Sequence, residues 1–292
     1  MLNVYEQVSR NKIRSGVIIT LFIGFILTAT YLISQAFGYG DGFVLVALAI
    51  SLFMSGASYF WGDKMVVSIN GAKPATREEL FDFYTVTENL SIANGTPVPK
   101  IYIIESPAMN AFATGRDPEH SLICATTGLL EKLNRTELEA VVAHELSHIK
   151  NYDIRLMMIV SILIGTLSII TNTVTRVSFR DRDSDSKANG IIMIIGLLML
   201  IFAPIIAQLV QLAISRRREY LADASGIKLT RQPQGLIDAL EKISQDSNKL
   251  ETASTATASL YISNPFKGNK IASLFSTHPP IEKRIAALKE ML

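Results

Sequence analysis

The sequence predicts a mainly α-helical membrane protein with a small β-sheet and four transmembrane helices. Of its 292 residues 49% are hydrophobic and only 18% are charged, and the mean hydropathy is +0.29. A soluble domain averages about 25% charged residues. Basic and acidic residues nearly balance, 28 against 26, and the net charge of +2 argues against nucleic acid as a partner. The high hydrophobic content instead predicts the lipid bilayer as a partner of the protein.

Four uncharged stretches reach the length of about 20 residues that a membrane-spanning helix needs. They are Ser15–Gly40, Gly42–Gly62, Leu156–Thr175 and Ala188–Ser215. Three basic residues precede the first stretch, which places the N-terminus in the cytoplasm by the positive-inside rule. By alternation the chain divides into an N-terminal transmembrane hairpin (1–62), a cytoplasmic region (63–155), a second transmembrane hairpin (156–215) and a second cytoplasmic region (216–292).

The cytoplasmic regions combine helix and strand patterns. Two capping boxes, in which a polar side chain and a glutamate three residues later satisfy each other's backbone N–H groups, indicate helix starts. Helices are predicted from Thr76–Glu79 to about Gly95, from Asn134–Glu137 to Ile149, over Leu236–Ser244 and from Pro280 onward. Strands are predicted at Lys100–Ile104, Met109–Ala113 and Leu122–Thr126.

The sharpest chemical signal is His144-Glu-Leu-Ser-His148. Residues four apart share one face of a helix, so both imidazoles can bind one metal ion. Glu145 lies about 100° around the helix axis from His144, beside the metal, where a carboxylate can take a proton from water and pass it to a leaving nitrogen. The alternative is a helix with two ordinary histidines. The single cysteine, Cys124, excludes a multi-thiolate site.

A catalytic zinc has three protein ligands and an open fourth position, so one Zn²⁺ per subunit needs one further ligand here. Glu219 is the preferred candidate, because a hairpin of the third and fourth stretches returns it to the membrane face of His148. Asp223, one turn further, can accept a hydrogen bond from a ligating histidine and fix its tautomer. The alternative is a solvated acidic pair beside Arg216–Arg218.

These motifs resemble the HtpX subgroup of the M48 zinc peptidases. The resemblance covers nearly the whole chain, including Ser276-Thr-His-Pro-Pro280 near its end. It implies a gluzincin-like catalytic domain on the cytoplasmic side of a bacterial inner membrane, acting in stress response and membrane-protein quality control. By match to the motif, His144, His148 and Glu219 would bind zinc and Glu145 would be the base. Other membrane quality-control proteases are implied as candidate partners.

Three further features suggest roles near this site. Asn110, Ala111, Phe112 and Ala113 form a short strand that can pair with an extended substrate, giving loose side-chain preference; an ordinary core strand is the alternative. His278 can donate a hydrogen bond to the oxygen of the tetrahedral intermediate, or it can cap the following helix. Arg284 is interpreted as structural or as a partner of a carboxylate.

Three functions fit these residues. The first is a zinc endopeptidase acting on membrane-protein loops or partly unfolded chains at the cytoplasmic face. The second is a narrow-specificity prenyl-protein peptidase, although such enzymes carry more spans and four leave little room for an enclosed chamber. The third is a non-catalytic membrane scaffold with a structural zinc, which would normally use four protein ligands, commonly cysteines.

Overall fold

A computed structural model describes residues 4–37, 41–163, 165, 216–254, 257–266 and 279–290. The helices in these ranges are α1 (Val4–Phe37), α2 (Asp41–Ile69), α3 (Phe81–Asn94), α4 (Thr127–Lys132), α5 (Arg135–Lys150), α6 (153–163), α7 (Arg216–Thr230), α8 (Pro233–Gln245) and α9 (Ile281–Lys289). The strands are β1 (Lys73–Pro74), β2 (Lys100–Ile104), β3 (Ala111–Gly115) and β4 (Ser121–Thr126). Single 3₁₀ turns lie at Pro118–His120 and Ala258–Leu260.

Both predicted capping boxes form, with different consequences. At the start of α5, the Asn134 side chain accepts from the Glu137 N–H at 2.9 Å, and the Glu137 carboxylate accepts from the Asn134 N–H at 2.8 Å. The same reciprocal bonds between Thr76 and Glu79 are 3.4 and 3.3 Å long, but they close a turn, and α3 begins at Phe81. The helix ends as predicted at Gly95, whose φ of 67° costs a glycine little.

The strand predicted at Met109–Ala113 forms two residues later. Side chains take the backbone groups that would otherwise begin the ladder: Asp246 accepts from the Met109 N–H at 2.8 Å, and Thr126 Oγ1 accepts from the Asn110 N–H at 3.0 Å. Regular pairing with β4 therefore starts at Ala111. The other two predicted strands coincide with β2 and, within one residue, with β4.

The four strands form one mixed sheet in the order β1-β2-β4-β3. Strand β2 is parallel to β4, while β1 and β3 are antiparallel to their neighbours. Successive side chains on β3 and β4 enter different cores, because a strand alternates its faces. Ala111 and Ile123 pack in the core shared with α3 and α5, whereas Phe112 and Cys124 pack in a second core with α6. Helices on both sides thus hold β3 rigidly beside α5.

Helix α2 continues beyond the uncharged stretch predicted to end at Gly62. It passes through Asp63 and Lys64 to Ile69, because mostly apolar residues follow the two charged ones. Val66 on this extension is fully buried and packs in the second core with Phe112. The extension therefore joins the N-terminal hairpin directly to the sheet.

The membrane topology is supported only in part. Within the described ranges, one helical segment is long and apolar enough to cross a membrane. It is Val44–Ile69 of α2, with 26 residues and a mean hydropathy of 1.8. The first predicted span falls in α1, residues 156–163 of the third fall in α6, and the fourth lies outside the described residues. Four spans, and the division of the chain that follows from them, stay predictions.

Candidate metal centre and active site

Helix α5 carries the histidine motif and is buried along most of its length. Beyond its capping box, α8 supports its first turn, where the Lys242 ammonium lies 2.7 Å from the Glu137 carboxylate. His144 and His148 lie one turn apart on the face that meets α7, and their exposed fractions are 0% and 3%. The motif thus sits in a packed helix crossing, where side-chain positions are tightly fixed.

The structure brings the two histidines together with Glu219 of α7. The two Nε2 atoms are 3.2 Å apart, and each lies 3.6 Å from one oxygen of the Glu219 carboxylate. A tetrahedral zinc with ligands at about 2.0–2.2 Å separates its ligand atoms by roughly 3.4 Å. The three side chains therefore fit one zinc ion as their common partner, and within the described ranges they form the one such cluster of histidine and acidic residues.

Two carboxylates fix the tautomers of the histidine rings. Nδ1 of His144 lies 2.9 Å from Asp223 Oδ1, and Nδ1 of His148 lies 3.1 Å from Asp153 Oδ2. Each ring donates its Nδ1–H to a carboxylate, which leaves both Nε2 atoms to face each other and Glu219. Such an outer partner is the usual means of orienting a metal-binding histidine.

The surrounding charges shift the pKa values of the two histidines in opposite directions. Burial tends to lower the pKa of His148, but Glu219 and Asp153 outweigh it and raise that pKa to about 9. Burial and the Arg284 guanidinium lower the pKa of His144 to about 4. The three acceptor groups at this point, two Nε2 atoms and the Glu219 carboxylate, suit a divalent cation. The chemistry of the donor set and its spacing both fit a metal.

Glu145 lies between the histidines and the sheet, and it is 2% exposed. Burial, with a smaller contribution from Glu219, raises the pKa of Glu145 to about 7. The backbone N–H of Ala113 on β3 faces the Glu145 carboxylate and tends to lower that pKa. A carboxylate with a pKa near the working pH is well suited to accept and return a proton.

Arg284 of α9 holds the opposite side of the site. It is fully buried, and its Nε and Nη2 atoms lie 2.9 and 2.6 Å from the two oxygens of Asp223. Burial raises the pKa of Asp223, but Arg284 and His144 outweigh it and lower that pKa to about 2. The sequence interpretation of Arg284 as a partner of a carboxylate is confirmed. It connects the last helix of the chain to the ring of His144.

The predicted substrate strand lies at the edge of the sheet. Ala111–Ala113 belong to β3, which pairs with β4 on one side, and Asn110 directly precedes it. On its other side the Ala111 carbonyl accepts from the Ile262 N–H at 2.9 Å, and the Ala111 N–H donates to the Asn110 side chain at 3.1 Å. Ala113 of this strand lies next to Glu145. Substrate binding by the strand stays a prediction. His278 lies outside the described residues.

Sequence reasoning missed Asp153. Helix α5 ends at a turn in which Tyr152 has a left-handed φ of 60°, and this turn directs Asp153 back to His148. The available signal was the sequence after the motif: Asn151 favours a helix end, and an acidic residue follows within reach of the last histidine. The second carboxylate, Asp223, was predicted from its position one turn after Glu219.

A His-His-Glu site in a helix–sheet fold is typical of metallopeptidases. Comparison with known proteins agrees with this class. Residues 82–292 match the family model "Peptidase family M48", and the chain belongs to this family. It is 42% identical over 287 residues to "Protease HtpX homolog" of Dictyoglomus turgidum, covering 98% of this chain and 94% of that protein. The protein of the same name in Streptococcus equi subsp. equi is 43% identical over 299 residues, covering 99% and 100%.

A solved structure shares the fold. The crystal structure of S. mikatae Ste24p matches 97% of this chain and 67% of its own, with a TM-score of 0.51 and 22% identity. Together with the family match and the HtpX homologues, the His-His-Glu cluster supports a metalloprotease.

Proposed function

We propose that the protein is a zinc-dependent endopeptidase, embedded in the bacterial cell membrane, that hydrolyses peptide bonds of misfolded or damaged membrane proteins at the cytoplasmic face. The observation that carries the proposal is the convergence of three ligand groups: the two Nε2 atoms are 3.2 Å apart, and each lies 3.6 Å from one of the two Glu219 oxygens, spacings that suit a tetrahedral zinc. The long apolar helix Val44–Ile69 supports a membrane location. The basic residues before the first predicted span support a cytoplasmic site.

In the proposed reaction the protein's own groups hold the metal and move one proton. His144, His148 and Glu219 would bind zinc, which when bound supplies Lewis acidity that polarises a carbonyl and acidifies water. Glu145 accepts the proton of the attacking water and returns it to the departing amine nitrogen. Its pKa of about 7 lets the carboxylate serve as both base and acid near neutral pH.

The polypeptide is proposed to bind along β3. The backbone groups of Ala111 and Ala113 point away from β4, towards Ile262 and Glu145. Pairing with these groups would lay the scissile bond next to Glu145 and would bind the substrate mainly through its backbone. Such binding suits loops and unfolded chains of varied sequence, including those that accumulate under stress.

The test is zinc content and casein cleavage, measured in parallel on detergent-purified wild type and Glu145→Gln. We expect one zinc per chain in both and cleavage by the wild type alone, with a loss of about 10²–10⁴-fold from removal of a general base. Zinc in both without cleavage in either would favour a structural zinc scaffold or a narrow substrate such as a prenylated protein. Absence of zinc from both would refute the metal site.

A further inference from the structure

A residue of the first helix reaches the metal centre through Asp153. Asn11 of α1 is 3% exposed, although it stands between the basic residues that precede the first predicted span. Its amide Nδ2 lies 2.7 Å from Asp153 Oδ1 and 2.9 Å from the carbonyl oxygen of Asn151. Both neighbours are acceptors, so the amide nitrogen must face them and donates to each.

These two bonds hold the ends of the turn that connects α5 to α6. Asn151 closes α5, Tyr152 takes the left-handed conformation, and Asp153 begins α6. With Oδ1 of Asp153 engaged by Asn11, its Oδ2 is directed at Nδ1 of His148, 3.1 Å away. The Arg218 guanidinium, 3.5 Å from Oδ1, contributes positive charge on the same side.

Apolar packing fixes α1 in the position that this contact requires. Asn11, Ser15, Ile18 and Phe22 are spaced by four, three and four residues, so they lie on one face of the helix, and all four are buried. Ile18 and Phe22 pack against α6 in a cluster of its residues 156, 159, 160 and 163. The docked face therefore fixes the position of Asn11, which lies N-terminal to the apolar contacts of Ile18 and Phe22.

We propose that Asn11 is a positioning residue of the metal centre, which fixes the Asp153 carboxylate and through it the ring of His148. The inference rests on the proposed function, because it concerns how the same zinc site is held. A hydrogen bond to the Nδ1–H side of a histidine sets ring orientation and ligand basicity, and loss of such a partner weakens metal binding. Helix α1 thus strengthens zinc binding without supplying a ligand.

The test measures the zinc dissociation constant of the full chain in detergent, by competition with a chromophoric chelator. Asn11→Leu keeps a similar volume and removes both donors. We expect it to weaken zinc binding by about tenfold, at the lower end of the 10- to 100-fold effect of losing an outer partner. Asn11→Ala, which removes volume as well, provides a second variant with the same expected direction.

Ser15→Ala is the matched control, because Ser15 is buried on the same face but its hydroxyl donates to the Asn11 carbonyl of its own helix. It should leave the zinc dissociation constant unchanged. In an Asp153→Ala background, Asn11→Leu should have no further effect on zinc affinity, because the route through Asp153 is already lost.

The outcomes separate this inference from the proposed function. Wild-type zinc affinity in both Asn11 variants would overturn the inference, whatever happens to the melting temperature. A loss that persists in full in the Asp153→Ala background would also overturn it, because Asn11 would then act elsewhere. If the wild type itself binds no zinc, the proposed function fails first and this inference with it.

Discussion

Replacing Arg284 by Met should destabilise the catalytic region strongly. Arg284 is fully buried and makes two hydrogen bonds with Asp223, at 2.9 and 2.6 Å, while its Nη1 donates to the Ile262 carbonyl at 3.3 Å. Methionine fills similar space but leaves the Asp223 carboxylate, which is 1% exposed, without its cation. An uncompensated buried charge is among the most costly defects in a protein interior.

The size of the effect follows from the pKa of Asp223 and from the cost of breaking a buried pair. The pKa falls from 3.8 to about 2 in the folded protein. Since one pKa unit is worth about 1.4 kcal/mol, this net shift, in which the positive surroundings outweigh burial, corresponds to about 2 kcal/mol of stability at neutral pH, which is lost as the pH falls towards 2. Removing one partner of a buried pair costs about 3–5 kcal/mol. We therefore expect a loss of about 3 kcal/mol in the free energy of unfolding.

The assay is thermal unfolding of the detergent-solubilised protein with a chelator present, so that bound zinc does not add to the stability. A loss of about 3 kcal/mol corresponds to a melting temperature lower by roughly 6–12 °C in a domain of this size. Lys289→Met is the matched control on the same helix, because its 3.4 Å contact with Glu241 is exposed and worth little. Equal melting temperatures for wild type and Arg284→Met would refute the reasoning.

Three other changes test the centre from different sides. Glu219→Ala should lower zinc stoichiometry and activity together, with the exposed Glu241→Ala as control; unaltered zinc would require another third ligand. Gly226→Val should weaken zinc binding, because a Cβ at this point of α7 would lie only 3.2 Å from the His144 backbone nitrogen; wild-type affinity would show that the two helices can separate freely. Asn134→Ala should cost about 1 kcal/mol of stability by removing the cap of α5. Its zinc stoichiometry should stay at the wild-type value, and a change there would mean that the cap also shapes the metal site.

The local elements near the motif could be predicted because their signals lie within a few residues. The Asn134 capping box and the i, i+4 histidines are read directly from the chain, and the structure forms both on one helix. Glu219 was predicted at the same site from the membrane topology. About 70 residues separate it from His148, and periodicity alone does not relate positions so far apart. The structure places it against both histidines.

The contacts that hold the ligands from outside could not be predicted, because they depend on packing between distant segments. Asn11 reaches Asp153 across 142 positions of the chain, and nothing in the basic N-terminal segment marks it as buried. The two-residue shift of β3 has a similar origin, since Asp246 captures the Met109 N–H from another element. Pattern and spacing report on one segment at a time, whereas these bonds belong to pairs of segments.

The edge of β3 that is proposed to bind substrate already has partners within the protein, which would make the observed rate of hydrolysis lower than the intrinsic rate. The Ile262 N–H donates to the Ala111 carbonyl, the Asn110 side chain accepts from the Ala111 N–H, and the Glu145 carboxylate faces the Ala113 N–H. If substrate pairs with this edge, the protein's own chain competes with it, and each turnover follows a pre-equilibrium opening. An open form populated about 1% of the time would weaken apparent substrate affinity about 100-fold. Latency of this kind would be a property of the resting fold itself, and any membrane condition that loosens the segment around Ile262 would raise proteolysis without changing the chemistry at Glu145.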